Sequence, residues 1–91
     1  MTKIIENLTE WEMYQKDVRD GKLSLREFRN MRARIIYSKI LRETDKAIEI
    51  EIEFLRRKRS VWLPKSQISI IDRKIYVPLW LIDSKGLRIP R

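Results

Sequence analysis

From Ala47 to Phe54 the chain alternates without a break, Ile48, Ile50, Ile52 and Phe54 against Glu49, Glu51 and Glu53. Successive side chains on a strand point to opposite faces, so this stretch predicts a strand with one apolar face and one acidic face. Four consecutive cations, Arg56-Arg57-Lys58-Arg59, interrupt the pattern. The apolar return Val61-Trp62-Leu63 follows and is stopped by Pro64. The whole reads as a β-hairpin with a basic tip.

Upstream, Leu8, Trp11, Tyr14 and Val18 recur at helical spacing, which predicts a helix over 8–19 with Ile4 extending its stripe backwards. Asn7 or Thr9 caps it, each with a Glu three residues on, as in a capping box. Asp20-Gly21 ends it. Ser24-Leu25-Arg26-Glu27 opens a second helix carrying Leu25, Phe28, Met31, Ile35, Ile36 and Ile40, expected to run to Leu41 or Arg42. The short link between them predicts a tight helical hairpin. On that second helix Arg26 and Arg34 fall on the outer side, but Arg29, Arg32 and Lys39 intrude on the apolar arc, so no clean basic face results.

Downstream, Gln67–Ile71 reads as a third strand, Asp72-Arg73-Lys74 as a reversal, and Ile75-Tyr76-Val77 as a fourth strand. Pro78 suits the first position of a helix over Leu79–Lys85, with Gly86 as its C-cap. Leu87–Arg91 is expected to be loose or to pack through Leu87 and Ile89. The expected fold is therefore α+β: an N-terminal helical hairpin (1–45) packed on a small four-stranded antiparallel sheet, meander or barrel-like, with a short C-terminal helix (46–91). Elements segregated in this way argue against βαβ units. The 91 residues make one domain.

Composition narrows the function more by exclusion than by indication. There is no Cys and no His, so thiol nucleophiles, His bases, His-based triads and the usual zinc sites are all absent. Without a Gly-rich phosphate loop, nucleotide hydrolysis has no support. The expectation is a non-enzyme with no metal and no cofactor. A chain this short buries roughly 60–65% of its unfolded surface, which leaves homo-oligomerisation as one route to further burial. The start, MTKIIENLTEWE, turns polar after two isoleucines, and no stretch approaches a membrane span. A soluble cytoplasmic protein with no membrane partner is the expectation. High charge, fourteen Ile and two Gly also match what high-temperature proteins show, although an AT-rich genome produces the same Ile and Lys bias.

Net charge is +8, with residues 1–45 holding 10 cations and 8 anions and residues 46–91 holding 11 and 5. The excess sits with the basic tip, and basic domains of this kind favour polyanions.

Lys46-Ala47, then Val61-Trp62-Leu63-Pro64-Lys65-Ser66-Gln67-Ile68, then Val77-Pro78-Leu79-Trp80-Leu81 and Lys85-Gly86-Leu87 form a series. It resembles a pattern in small phage and prophage proteins, K-A, W-[I/L]-P-K-S-Q-[I/V], V-P-x-W-[I/L] and K-G-L. The resemblance covers residues 46–87. It implies a viral or mobile-element setting and a small β-meander or barrel-like sheet with a closing helix, and it carries no catalytic residues. In that family the first turn is short and often acidic; here it is Arg56-Arg57-Lys58-Arg59.

The expected function is that of a basic nucleic-acid-binding accessory protein of a virus or mobile element. Arg56, Arg57, Lys58 and Arg59 would grip phosphates, helped by Lys65, Arg73 and Lys74, with Tyr76 as a stacking ring. Trp11, Tyr14, Trp62 and Trp80 are read as core. Glu49, Glu51 and Glu53, about 6.5–7 Å apart along one strand face, are read as a solvated face or as ion-pair partners. The alternative is a module that binds or inhibits a host protein.

Overall fold

The computed structural model describes residues 4–91; Met1, Thr2 and Lys3, on which part of the leader reading rests, lie outside them. The fold is α+β, with ten elements among the described residues: β1 (Ile4–Ile5), α1 (Leu8–Arg19), α2 (Leu25–Asn30), β2 (Arg32–Arg34), β3 (Lys39–Glu43), β4 (Ala47–Phe54), β5 (Arg57–Pro64), β6 (Ser69–Ile71), β7 (Lys74–Pro78) and α3 (Leu79–Lys85). They form two sheets, one in the order β1-β2-β7-β6 and one in the order β3-β4-β5. One core cluster joins them, built on Ile5, Ile48, Ile50, Leu63, Ile75 and Val77, all fully buried.

Two expectations are corrected here. The second helix does not reach Leu41; it ends at Asn30 after six residues. Beyond it Met31, Ala33 and Ile35 are buried while Arg32 and Arg34 are half-exposed, a period of two rather than 3.6. Arg32, which intruded on the apolar arc of a long helix, is the sign of this: on a strand it turns, with Arg34, to the face opposite Ala33. The β-branched and aromatic run Ile35-Ile36-Tyr37 also favours extended backbone.

The second correction follows from the first. With two extra strands from residues 32–43, the four later strands do not form one antiparallel sheet. β3 pairs antiparallel with β4, and β2 pairs antiparallel with β7 and parallel with β1. Each later hairpin is thereby claimed by a different sheet, and the described part of the helical hairpin expected over 1–45 is α1, the short α2 and three strands.

Elsewhere local chemistry acts as the spacing predicts. The Asn7 side chain accepts from Glu10 N at 3.0 Å, and the Glu10 carboxylate accepts from Glu6 N at 3.0 Å, a reciprocal cap displaced by one residue. Ser24 caps α2 by accepting from Glu27 N. At the end of α3, Gly86 takes the left-handed conformation (φ 67°), which places Leu87 N 3.0 Å from the Ile82 carbonyl. Trp11, Tyr14 and Val18 lean half-buried on the core from α1.

Candidate nucleic-acid interface

β4 and β5 pair over their full lengths, Phe54 opposite Arg57 and Ala47 opposite Pro64. The loop is therefore two residues, Leu55 and Arg56, both at positive φ (53° and 65°). That is the type I′ geometry whose twist matches the strands, built here without the usual Asn or Gly. Of the four cations, only Arg56 belongs to the turn; Arg57, Lys58 and Arg59 lie on β5.

Strand alternation then separates them. Arg57 and Arg59 share the face of Val61 and Leu63, while Lys58 projects from the opposite face, across from Glu53. Arg59 is engaged within the fold, where its Nη2 donates to the carbonyl oxygens of Lys85 at 2.6 Å and Gly86 at 3.4 Å. These are carbonyls at the end of α3, where a cation is favoured by the helix dipole. The expectation that the whole basic run is free for a ligand is corrected at this residue.

The tip and α3 enclose a groove of about 670 Å³; Arg57, Arg59 and Arg88 supply its charged side, Lys58 joins its lining from the outward-facing side of β5, and Asp83 is the one carboxylate. Phe54 lies half-exposed (50%) in this groove, and the Arg88 guanidinium sits 5.1 Å from its ring centroid. Through Ile82, Asp83, Leu87 and Arg88 the groove runs into a second section of about 770 Å³, where Trp11, Arg29 and Arg91 are added. Leu25 and Arg29 carry it on to Trp80. Cations and rings thus recur along three adjoining depressions that share lining residues.

The other expected site residues do not gather there. Lys65 sits at the far end of the β4–β5 hairpin, roughly 25 Å of strand away from the turn. Its Nζ is paired with Glu43 at 2.6 Å. Arg73 and Lys74 lie at the β6–β7 turn, in a separate cleft with Arg34 and Tyr37. Tyr76 is buried at 3% exposure, and its hydroxyl donates to Glu6 at 2.7 Å, so its ring is not a stacking platform.

On the acidic strand face one residue takes the ion-pair reading rather than the solvated one. Glu49 is 5% exposed, covered by Arg42, whose Nε donates to it at 2.8 Å. Arg42 in turn lies 5.7 Å from the Trp62 ring centroid, and Trp62 is 40% exposed on this outer face rather than in the core. Arg42 and the Ser60 hydroxyl hold the Glu49 carboxyl below the usual carboxylate range, against the opposing effect of burial.

Sequence reasoning missed Arg88 and Arg34. Of the two expectations for the tail, packing through Leu87 and Ile89 holds, with Leu87 buried and Ile89 half-buried around an exposed Arg88, a period-two signal for that residue. Arg34 was hidden by its assignment to a helix. Among the described residues no group of three or more His, Cys, Asp or Glu is placed to hold a metal ion, and no helix is long and apolar enough to cross a membrane. No family model, no curated protein and no solved structure matches the chain.

Proposed function

We propose that the protein binds single-stranded nucleic acid along the groove between the β4–β5 tip and α3. The observation that carries this reading is the placement of Arg57 and Arg88 beside the half-exposed ring of Phe54 in one groove, with Lys58 on the outer face of the same tip and Trp11 in the adjoining depression. Cations along a backbone path release counterions, and rings accept bases of any identity, so affinity comes without sequence preference. A concave, ring-lined path suits unpaired bases better than the convex surface of a duplex. The phage-like pattern over 46–87 gives the setting we assign, an accessory protein of a virus or mobile element.

A mobility shift with single- and double-stranded DNA and RNA tests it, comparing wild type with Arg57→Ala/Lys58→Ala/Arg88→Ala. Retarded single strands, released by salt and by the triple change, are expected. Binding indifferent to both, or no binding, would sink the proposal.

A second reading, a protein-interaction module, draws on Ile36, Ile40 and Leu41, exposed apolar residues on and beside the edge strand β3. Capture of one host protein, surviving nuclease and high salt and abolished by Ile40→Lys/Leu41→Lys, is the outcome that would favour it over the groove.

A further inference from the structure

The cleft beside the groove holds three cations that the groove does not use. It measures about 320 Å³ and is lined by Arg34, Tyr37, Ser38, Arg73, Lys74 and Pro90 among others, with no carboxylate. Asp72 adjoins Arg73 in the turn but is exposed and does not line the cleft. Glu6, which reaches the neighbouring Tyr76, is engaged by that hydroxyl. Among the described residues the salt bridges are Arg42–Glu49 and Lys65–Glu43, so none of the three cleft cations is paired. Arg34 and Lys74 are half-buried, and a cation withdrawn from water without a counter-charge is unfavourable. The Tyr37 hydroxyl donates to the Arg73 carbonyl at 2.8 Å, which fixes the turn over the cleft before any ligand arrives.

We infer that this cleft binds a phosphate monoester, the phosphorylated end of a strand lying in the groove. The phosphate chemistry stands on the cleft alone; the strand as its source rests on the groove reading. A backbone diester brings a single charge, whereas a monoester brings about −1.5 to −2 at pH 7, the better match to three cations lining one cleft. The C-terminal tail separates the two depressions. It is held by Ile36 N to the Arg88 carbonyl at 2.9 Å and by Leu8 N to the Pro90 carbonyl at 2.8 Å. Pro90 lines the cleft, while Arg88, Ile89 and Arg91 line the groove. A strand that crosses the tail from the groove meets the cleft at its end rather than along its length.

Fluorescence anisotropy with labelled single-stranded oligonucleotides carrying a 5′-phosphate, a 3′-phosphate or neither tests the inference. A phosphate at one end should tighten binding about tenfold. Lys74→Gln and, separately, Arg34→Gln should remove that preference while leaving the unphosphorylated oligonucleotide bound. Equal affinity for phosphorylated and unphosphorylated ends overturns the inference. A nucleoside monophosphate that binds as tightly as the phosphorylated strand overturns the strand-end source. If no oligonucleotide binds at all, the groove reading falls with the strand-end source, and inorganic phosphate decides the cleft. Saturable amide shifts at Tyr37, Arg73 and Lys74, lost in Lys74→Gln, uphold the anion site; their absence overturns it.

Discussion

The Arg59 guanidinium donates to the carbonyl oxygen of Lys85 at 2.6 Å, fastening β5 to the end of α3 and closing one side of the groove. A residue from the most basic run in the chain is thus held by a helix end. The same contact sets what can replace Gly86, because a Cβ built there would come 2.8 Å from Arg59 Nη2.

Gly86→Ala should therefore destabilise by two routes. The left-handed φ of 67° costs an L-residue about 1 kcal/mol or more, and displacing Arg59 forfeits a hydrogen bond worth about 1 kcal/mol. In an Arg59→Ala background only the first cost remains. A double-mutant cycle by denaturant unfolding should show coupling of about 1 kcal/mol between the two sites; strict additivity would refute the contact.

Leu55 is 78% exposed and held at φ 53° in the type I′ turn, where a branched apolar residue gains nothing from packing. Leu55→Asn should stabilise by about 1 kcal/mol, since Asn tolerates that conformation. For a domain of this size the rise in Tm is roughly 4–8 °C. Thermal unfolding followed by circular dichroism is the check.

Glu49 gives the chain a defined acid sensitivity. Its carboxyl is held below the ordinary carboxylate value, principally by the hydrogen bond from Arg42. A lowered folded-state pKa contributes stability above the unfolded value, about 4.3, and that stability fades as pH falls through the folded value. The stability difference between wild type and Glu49→Gln should be largest near neutrality and shrink below about pH 4. Urea midpoints across that range measure it; a difference independent of pH would contradict the assignment.

Tyr76 behaves in the opposite sense. The hydrogen bond to Glu6, and burial after it, push the phenol above its usual value near 10. Stability from this group is complete below that value and is lost as pH rises through the raised one. An absorbance titration should show a phenol ionisation above the normal range in wild type that is lost in Tyr76→Phe. The variant should also be less stable at neutral pH by about 1–3 kcal/mol, because the Glu6 carboxylate loses its donor.

These residues show what was legible in the sequence and what was not. The alternation over Ala47–Phe54, the caps at Asn7, Ser24 and Gly86, and the bounds of α1 and α3 are local properties, and local chemistry sets them. Residues 31–43 were misread because Ile35, Ile36 and Ile40 fit a helical stripe as well as a strand, and only pairing with β7 and β4 decides between them. The cationic run was legible as a run, but its division into a turn residue, an outward Lys58 and a fastened Arg59 depends on the two-residue turn that sets the register. Arg88 and Arg34 reach their depressions only through tertiary placement of the tail and of β2, which periodicity in one segment does not encode.

The salt dependence of single-strand binding tests the central claim most directly. Anisotropy with an unphosphorylated oligonucleotide should give log K linear in log salt. Arg57→Ala/Lys58→Ala/Arg88→Ala should flatten the slope by roughly 0.7 for each phosphate contact removed, about 2 in all. Lys65→Ala, at the far end of the hairpin and paired with Glu43, should leave the slope unchanged. A triple variant with the affinity and slope of wild type would contradict the account.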